Sequence, residues 1–211
     1  MAQSRPAEIK ALSGARAFPP LILVLYHFGE GHHYQNAFWY DAVVAKGYLW
    51  VEFFFALSGF ILVHVYGERA AEFWHGTKAY RTFVMTRLAR LYPLHIFMLF
   101  AILGLVIGLR ALAAHGGYVS IYDQPYHPQN TWQGFLASLF LVQAWNILPY
   151  LSWNGASWFV SVEFLLCLLF PLYLFFARGG VVSALLLIVA GALSLNALAL
   201  TSGHGLALTF H

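Results

Sequence analysis

Apolar residues gather along the chain into six runs: Ala11–Phe28, Gly47–Tyr66, Leu91–Leu109, Phe135–Leu148, Trp158–Ala177 and Val181–Leu200. A helix needs roughly 20 apolar residues to cross a ~30 Å hydrocarbon core, so five of the runs are long enough to span. The first of them does so only if Arg16 is tolerated at its inner end. The fourth, about fourteen residues bounded by Gly134 and Pro149, suits a re-entrant or interfacial segment better than a crossing. The pattern therefore predicts an all-α fold: a polytopic transmembrane helix bundle of about five spans plus one short re-entrant or interfacial segment. No internal repeat, low-complexity tract or linker divides residues 1–211, which read as a single transmembrane domain.

Composition agrees with that pattern. Of the 211 residues, 61% are hydrophobic and 9% charged, against about a quarter charged in a soluble domain. The segment Met1–Lys10 is polar and no small-residue cleavage site follows the first run, so that run is expected to be retained. The chain stops at His211 on the heels of an apolar run, an ending that reads as a truncation. Cys167, the single cysteine, excludes an intrachain disulfide and sits among leucines as a packing thiol.

Basic residues set the expected orientation. Arg69, Lys78, Arg81, Arg87 and Arg90 crowd one connection, whereas Gly29–Lys46 holds one lysine, so the crowded connection and the amino terminus are assigned to the cytoplasmic side. With the fourth run re-entrant, the Ala111–Trp132 loop lies outside, where its tyrosines suit either a mouth for a polyol or an ordinary membrane interface. Lacking a nucleic-acid-binding module, this basic face does not suggest nucleic-acid binding.

Ionisable residues inside such runs are costly and point to function. Arg16 and His27 are the first candidates: eleven positions apart, they would lie within ~20° of one helix face and ~16 Å apart along its axis. Pro19 and Pro20 lack amide donors and fit only a first helical turn, which allows Arg16 to precede the helix. An imidazole with a partner can take a proton from an alcohol; the bland reading is an interfacial histidine bonded to water or a carbonyl. Arg87 and Arg90, three apart, share a helix face and offer donor forks for phosphate, though basic residues also belong at any cytoplasmic helix end.

Glu163, in Ser157-Trp158-Phe159-Val160-Ser161-Val162-Glu163, lies about one and a half turns into a span. It requires a proton, a partner or a wet cavity, and Arg16 and His27 are the expected partners. Glu52, ahead of three phenylalanines, reads as a similar buried acid; for both, a structural ion pair is the alternative. His64 and His95 read as satisfied packing residues. His27, Glu30, His32 and His33 make a weak metal set, and no metal is expected.

In order, these motifs resemble the membrane acyltransferase family 3, whose members O-acylate cell-surface sugars and related acceptors. Leu12-Ser13-Gly14-Ala15-Arg16 with Leu25-Tyr26-His27-Phe28 is similar to the family's Arg, ten residues, His signature. Gly47-Tyr48 through Phe60 is similar to its second helix, Arg87–Pro93 to its Arg-x-x-Arg motif, and Ser157–Glu163 with Phe170-Pro171-Leu172 to its Trp-Ser-x-Ser-Val-Glu segment. The resemblance implies that His27 and Arg16 belong to the catalytic centre, that Glu163 and Ser161 lie at or near it, and that Arg87 and Arg90 hold an acyl-coenzyme A donor. Glu52, which stands where the family usually has an aspartate, and Trp158 are supporting positions.

Family members run to roughly ten spans, so the chain resembles their front half. The resulting expectation is an O-acyltransferase of a bacterial-type inner (plasma) membrane. It would move an acyl group, most simply acetyl, from cytosolic acyl-CoA (acetyl-CoA) to a glycan or lipid-linked sugar acceptor, as a co-substrate reaction with no bound cofactor. The alternatives are half of a proton-coupled transporter or flippase, in which His27 and Glu163 form a path, and an inactive fragment.

Overall fold

The computed structural model of the chain describes residues 10–15, 18–30, 46–47, 49–69, 71–116, 130–145, 147–148, 150, 152–177, 179–180, 182–183, 185–186 and 189. Every regular element among them is helical: α1 (Lys10–Ala15), α2 (Phe18–Glu30), α3 (Leu49–Tyr66), α4 (Glu72–His75), α5 (Thr77–Ala114), α6 (Trp132–Leu139) and α7 (Trp158–Ala177). The expected all-α membrane bundle is the fold observed. Among the described residues three helical stretches are long and apolar enough to cross a membrane, Leu49–Tyr66, Thr77–Ala114 and Gly155–Ala177, and Phe18–His27 is a shorter apolar one. Arg16, His32, His33, most of the Ala111–Trp132 loop and most of the Val181–Leu200 run lie outside the described residues.

Contacts divide the chain into two compact units, Met1–Ala71 and Glu72–His211. In the first, α2 begins at Phe18 with Pro19 and Pro20 in its opening turn, where their missing amides leave no bond unmade. The first apolar run is described as α1 and α2, with residues 16 and 17 between them outside the described residues. Val51, Leu57 and Leu62 of α3 are buried, while Phe53, Phe60 and Val63 are exposed, an outward apolar surface that suits lipid. Gly47 marks a close approach: a Cβ there would lie 2.5 Å from Cβ and Cγ of Tyr26.

The second unit is built on α5, whose 38 residues reach ~57 Å, beyond the ~30 Å core. Its buried positions Phe83, Leu99 and Val106 join Phe135 and Leu141, and Cys167, Phe170 and Leu174 of α7, in the core. Phe83 and Phe170 stack with centroids 5.6 Å apart, and Phe73 of α4 packs against both at 5.3 and 6.4 Å. Outward from α5 point Leu94, Phe97, Phe100 and Ile107.

The fourth apolar run does not cross as a helix. α6 has 8 residues, ~12 Å of rise, and the chain then turns at Leu141, whose φ is 58°. Its start is capped by Thr131, whose hydroxyl accepts from the Gly134 amide at 3.2 Å. Its end is secured by two side chains of α5. The Tyr92 hydroxyl donates to the Leu139 carbonyl at 3.0 Å and the His95 Nε2 to the Ser138 carbonyl at 2.8 Å, among the carbonyls a helix terminus leaves without intrahelical partners.

Candidate active-site residues

In the first unit His27 lies in the last turn of α2, exposed, with the Tyr26 ring edge-on at 5.2 Å. The Gly47 contact holds Tyr26 and thereby the turn that carries His27. Glu52 falls in the first turn of α3, where a carboxylate complements the helix dipole. It is exposed, contrary to the expected buried acid. The helix is apolar nearly all round, so the pattern of apolar residues does not reveal which way Glu52 faces.

The second unit holds the other candidates. Arg87 and Arg90 share the continuous helix α5, as expected, yet differ in setting: Arg87 is half-buried and Arg90 exposed. The Arg87 guanidinium carbon stands 5.7 Å from the centroid of the Phe83 ring, a cation–π contact. Because Phe83 is itself stacked on Phe170, that contact ties the arginine to the α5–α7 packing.

Glu163 lies half-buried on α7, one helical turn before Cys167. Both Glu163 and Arg87 are within electrostatic reach of the Cys167 thiol. The structure thus brings the acid of one motif and the first arginine of another into one neighbourhood, across two helices that lie far apart in sequence. Arg87 and Glu163 thus share the surroundings of Cys167, where Arg16 and His27 were the partners expected for Glu163. Opposite charges gathered between apolar helices compensate each other's desolvation, the usual condition for an ionisable group in a span.

Ser161 is fully buried, and its hydroxyl is committed to the backbone. It donates to the Leu141 carbonyl at 2.7 Å and accepts from the Ala144 amide at 3.2 Å. The Ser161 carbonyl takes the Trp145 indole N–H at 3.2 Å. α7 therefore clamps the turn after α6, where Leu141 has a left-handed conformation that a branched residue resists. Trp158, half-buried, opens α7 directly after the short 3-10 turn Gly155–Ser157.

Gln143 was not a sequence candidate, although a glutamine inside an apolar run is itself a signal. It is buried, and its amide nitrogen donates to the carbonyl of Ser157 at 3.3 Å and to its hydroxyl at 3.2 Å. The Ser157 hydroxyl in turn donates a hydrogen bond to the Asn154 carbonyl at 2.7 Å. His95, Ser138, Gln143, Ser157 and Ser161 thus form a set of buried polar residues across α5, the α6 turn and α7, in which His95, expected as a satisfied packing residue, is bonded through Nε2.

Comparison with known proteins adds the family. The chain is 39% identical over 99 residues to protein 2 in the picA locus of Rhizobium radiobacter, covering 47% of the chain and 46% of that protein. It is 29% identical over 174 residues to the acyltransferase MdmB of Streptomyces mycarofaciens, covering 80% of the chain and 40% of that protein. The chain therefore spans less than half the length of these curated relatives. No solved structure matches it at a significant level. Residues 9–207 match the family described as the acyltransferase domain, and with nearly its whole length accounted for, the chain belongs to acyltransferase family 3.

Proposed function

We propose that the chain is the front part of a membrane O-acyltransferase that moves an acyl group, most simply acetyl, from cytosolic acyl-CoA to a hydroxyl of an extracytoplasmic or lipid-linked glycan. The observation that carries this reading is the family match over residues 9–207. The helical membrane architecture and the Arg87–Glu163 neighbourhood support it.

The chemistry assigns roles residue by residue. His27 takes the proton of the acceptor hydroxyl as general base; the acceptor oxygen bonds to the thioester carbonyl carbon, the carbon–sulfur bond breaks, and the proton passes from His27 to the leaving thiolate. In the covalent variant the His27 nitrogen first displaces the thiol from the acyl carbon, and the acceptor oxygen then displaces the imidazole. Arg16 stabilises the negative charge that develops on the carbonyl oxygen. Arg87 and Arg90 bind donor phosphates at the cytoplasmic end of α5. Glu163 compensates the charge of Arg87, while Trp158, Ser161 and Glu52 are supporting residues. The enzyme sits in a bacterial-type inner membrane with its amino terminus in the cytoplasm.

The test is equilibrium binding of radiolabelled acetyl-CoA to the detergent-solubilised protein. Saturable binding, competed by coenzyme A, is expected. A transporter of protons or solutes has no need of this ligand, so absence of binding by folded protein overturns the reading.

A further inference from the structure

The set of buried polar residues contains three polar atoms that the fold leaves without hydrogen-bond partners among the described residues: Nδ1 of His95, Oγ of Ser138 and Oε1 of Gln143. All three residues are at least nine-tenths buried, at 5%, 1% and 5% exposure. Buried polar groups of folded proteins are nearly always paired, and an exception marks a missing water or ligand. The residues that carry these atoms are neighbours. His95 is bonded to the Ser138 carbonyl, and Ser138 and Gln143 lie in one tight segment, closed by hydrogen bonds from the Leu141 amide to the Ser138 carbonyl at 3.1 Å and from the Val142 amide to the Ala137 carbonyl at 2.9 Å.

The polarity of these atoms follows from their neighbours. A carbonyl faces Nε2 of His95, so that nitrogen carries a hydrogen, and in the corresponding neutral tautomer Nδ1 presents a lone pair. A carbonyl also faces Nε2 of Gln143, which fixes the amide orientation and leaves Oε1 as an acceptor. The Ser138 hydroxyl both donates and accepts. A ligand complementary to this set is neutral and supplies N–H or O–H donors.

Position along α5 narrows the choice. His95 lies eight residues beyond Arg87, toward the apolar stretch of the helix, or ~12 Å along the axis. The arm that joins the phosphates of coenzyme A to its sulfur has the reach of about four extended residues, roughly 15 Å, and carries two amides and a hydroxyl. We propose that His95, Ser138 and Gln143 form the subsite for this arm, with Nδ1 of His95 and Oε1 of Gln143 accepting its N–H or O–H groups. This assignment rests on the acyl-CoA reading above. It adds residues that touch the neutral arm to the arginines that meet the phosphates.

The test uses the full chain in lipid nanodiscs, with coenzyme A and adenosine 3′-phosphate 5′-diphosphate, the nucleotide without the arm, as probes. His95→Leu removes the Nδ1 acceptor together with the Nε2 donor to the Ser138 carbonyl; Ser138→Ala removes a hydroxyl that makes no bond among the described residues. Each variant is expected to weaken coenzyme A binding by about five- to tenfold, the worth of one hydrogen bond, and to leave nucleotide binding unchanged. Should His95→Leu fail to fold, Ser138→Ala decides. Unchanged coenzyme A affinity in the variants overturns the proposal, whether the atoms then serve a resident water or, if KM for the acceptor rises, an acceptor hydroxyl. Coenzyme A bound no more tightly than the bare nucleotide by the parent chain overturns it too, while leaving the donor reading intact. A parent chain that binds neither probe overturns the donor reading itself.

Discussion

Replacing Ser161 by alanine separates a structural hydroxyl from a catalytic one. The substitution deletes two bonds at a site with no exposure, 2.7 Å to the Leu141 carbonyl and 3.2 Å to the Ala144 amide. Side-chain hydrogen bonds inside membranes average ~0.6 kcal/mol and reach ~1.7, whereas a buried backbone group left unsatisfied costs about 1–3 kcal/mol. The two freed groups here belong to a turn held in a left-handed conformation at Leu141, so they have little freedom to find other partners. A loss of about 1–3 kcal/mol follows, a fall in unfolding midpoint of roughly 2–10 °C for a chain of this size.

The assay is thermal unfolding in detergent, followed by tryptophan fluorescence, with Ser138→Ala as the matched control. Ser138 is as buried as Ser161, but its hydroxyl makes no bond among the described residues, so its removal should leave the midpoint unchanged or raise it. Equal midpoints for the two variants would refute the clamp. Loss of acyl transfer in Ser161→Ala at an unchanged midpoint would move Ser161 from support to chemistry.

Two further outcomes follow from the same geometry. Gly47→Ala forces a Cβ against Tyr26 and should cost about 1–3 kcal/mol of stability, with transfer activity falling further than the folded fraction because Tyr26 precedes His27; activity tracking the folded fraction alone would contradict that coupling. The double substitution Arg87→Ala with Arg90→Ala should raise the KM for acyl-CoA about tenfold or more, since two charge-assisted contacts to phosphate are lost. A defect confined to the KM of the acceptor would contradict the donor-binding role of the two arginines.

The three long apolar helices were legible in the sequence because continuous apolar runs are the signal that hydropathy reads. The shortness of α6 was legible too, from Gly134 and Pro149 at the borders of its run. What was not legible depends on contacts between distant segments. No local pattern announces that Ser161 will hold the turn at Leu141, or that Arg87 and Glu163 will both lie within reach of Cys167. Glu52 misled for a different reason: in a helix apolar on almost every side, periodicity does not tell an inward acid from an outward one. His95 read as a satisfied packing residue, and the structure satisfies one of its two nitrogens. Gln143 carried the usual signal of a polar residue in an apolar run, but lay in a segment read for topology alone.

The most direct measurement of the central claim follows label from [14C]acetyl-CoA, supplied to the cytoplasmic face of inverted membrane vesicles, into membrane glycans, with the parent chain and His27→Ala compared at equal membrane content. Transfer by the parent and loss of at least about a hundredfold in the variant, the usual range for removal of a general base, is the expected result. Equal labelling by both proteins, with insertion intact, would contradict the role assigned to His27 and the acyl-transfer mechanism built on it.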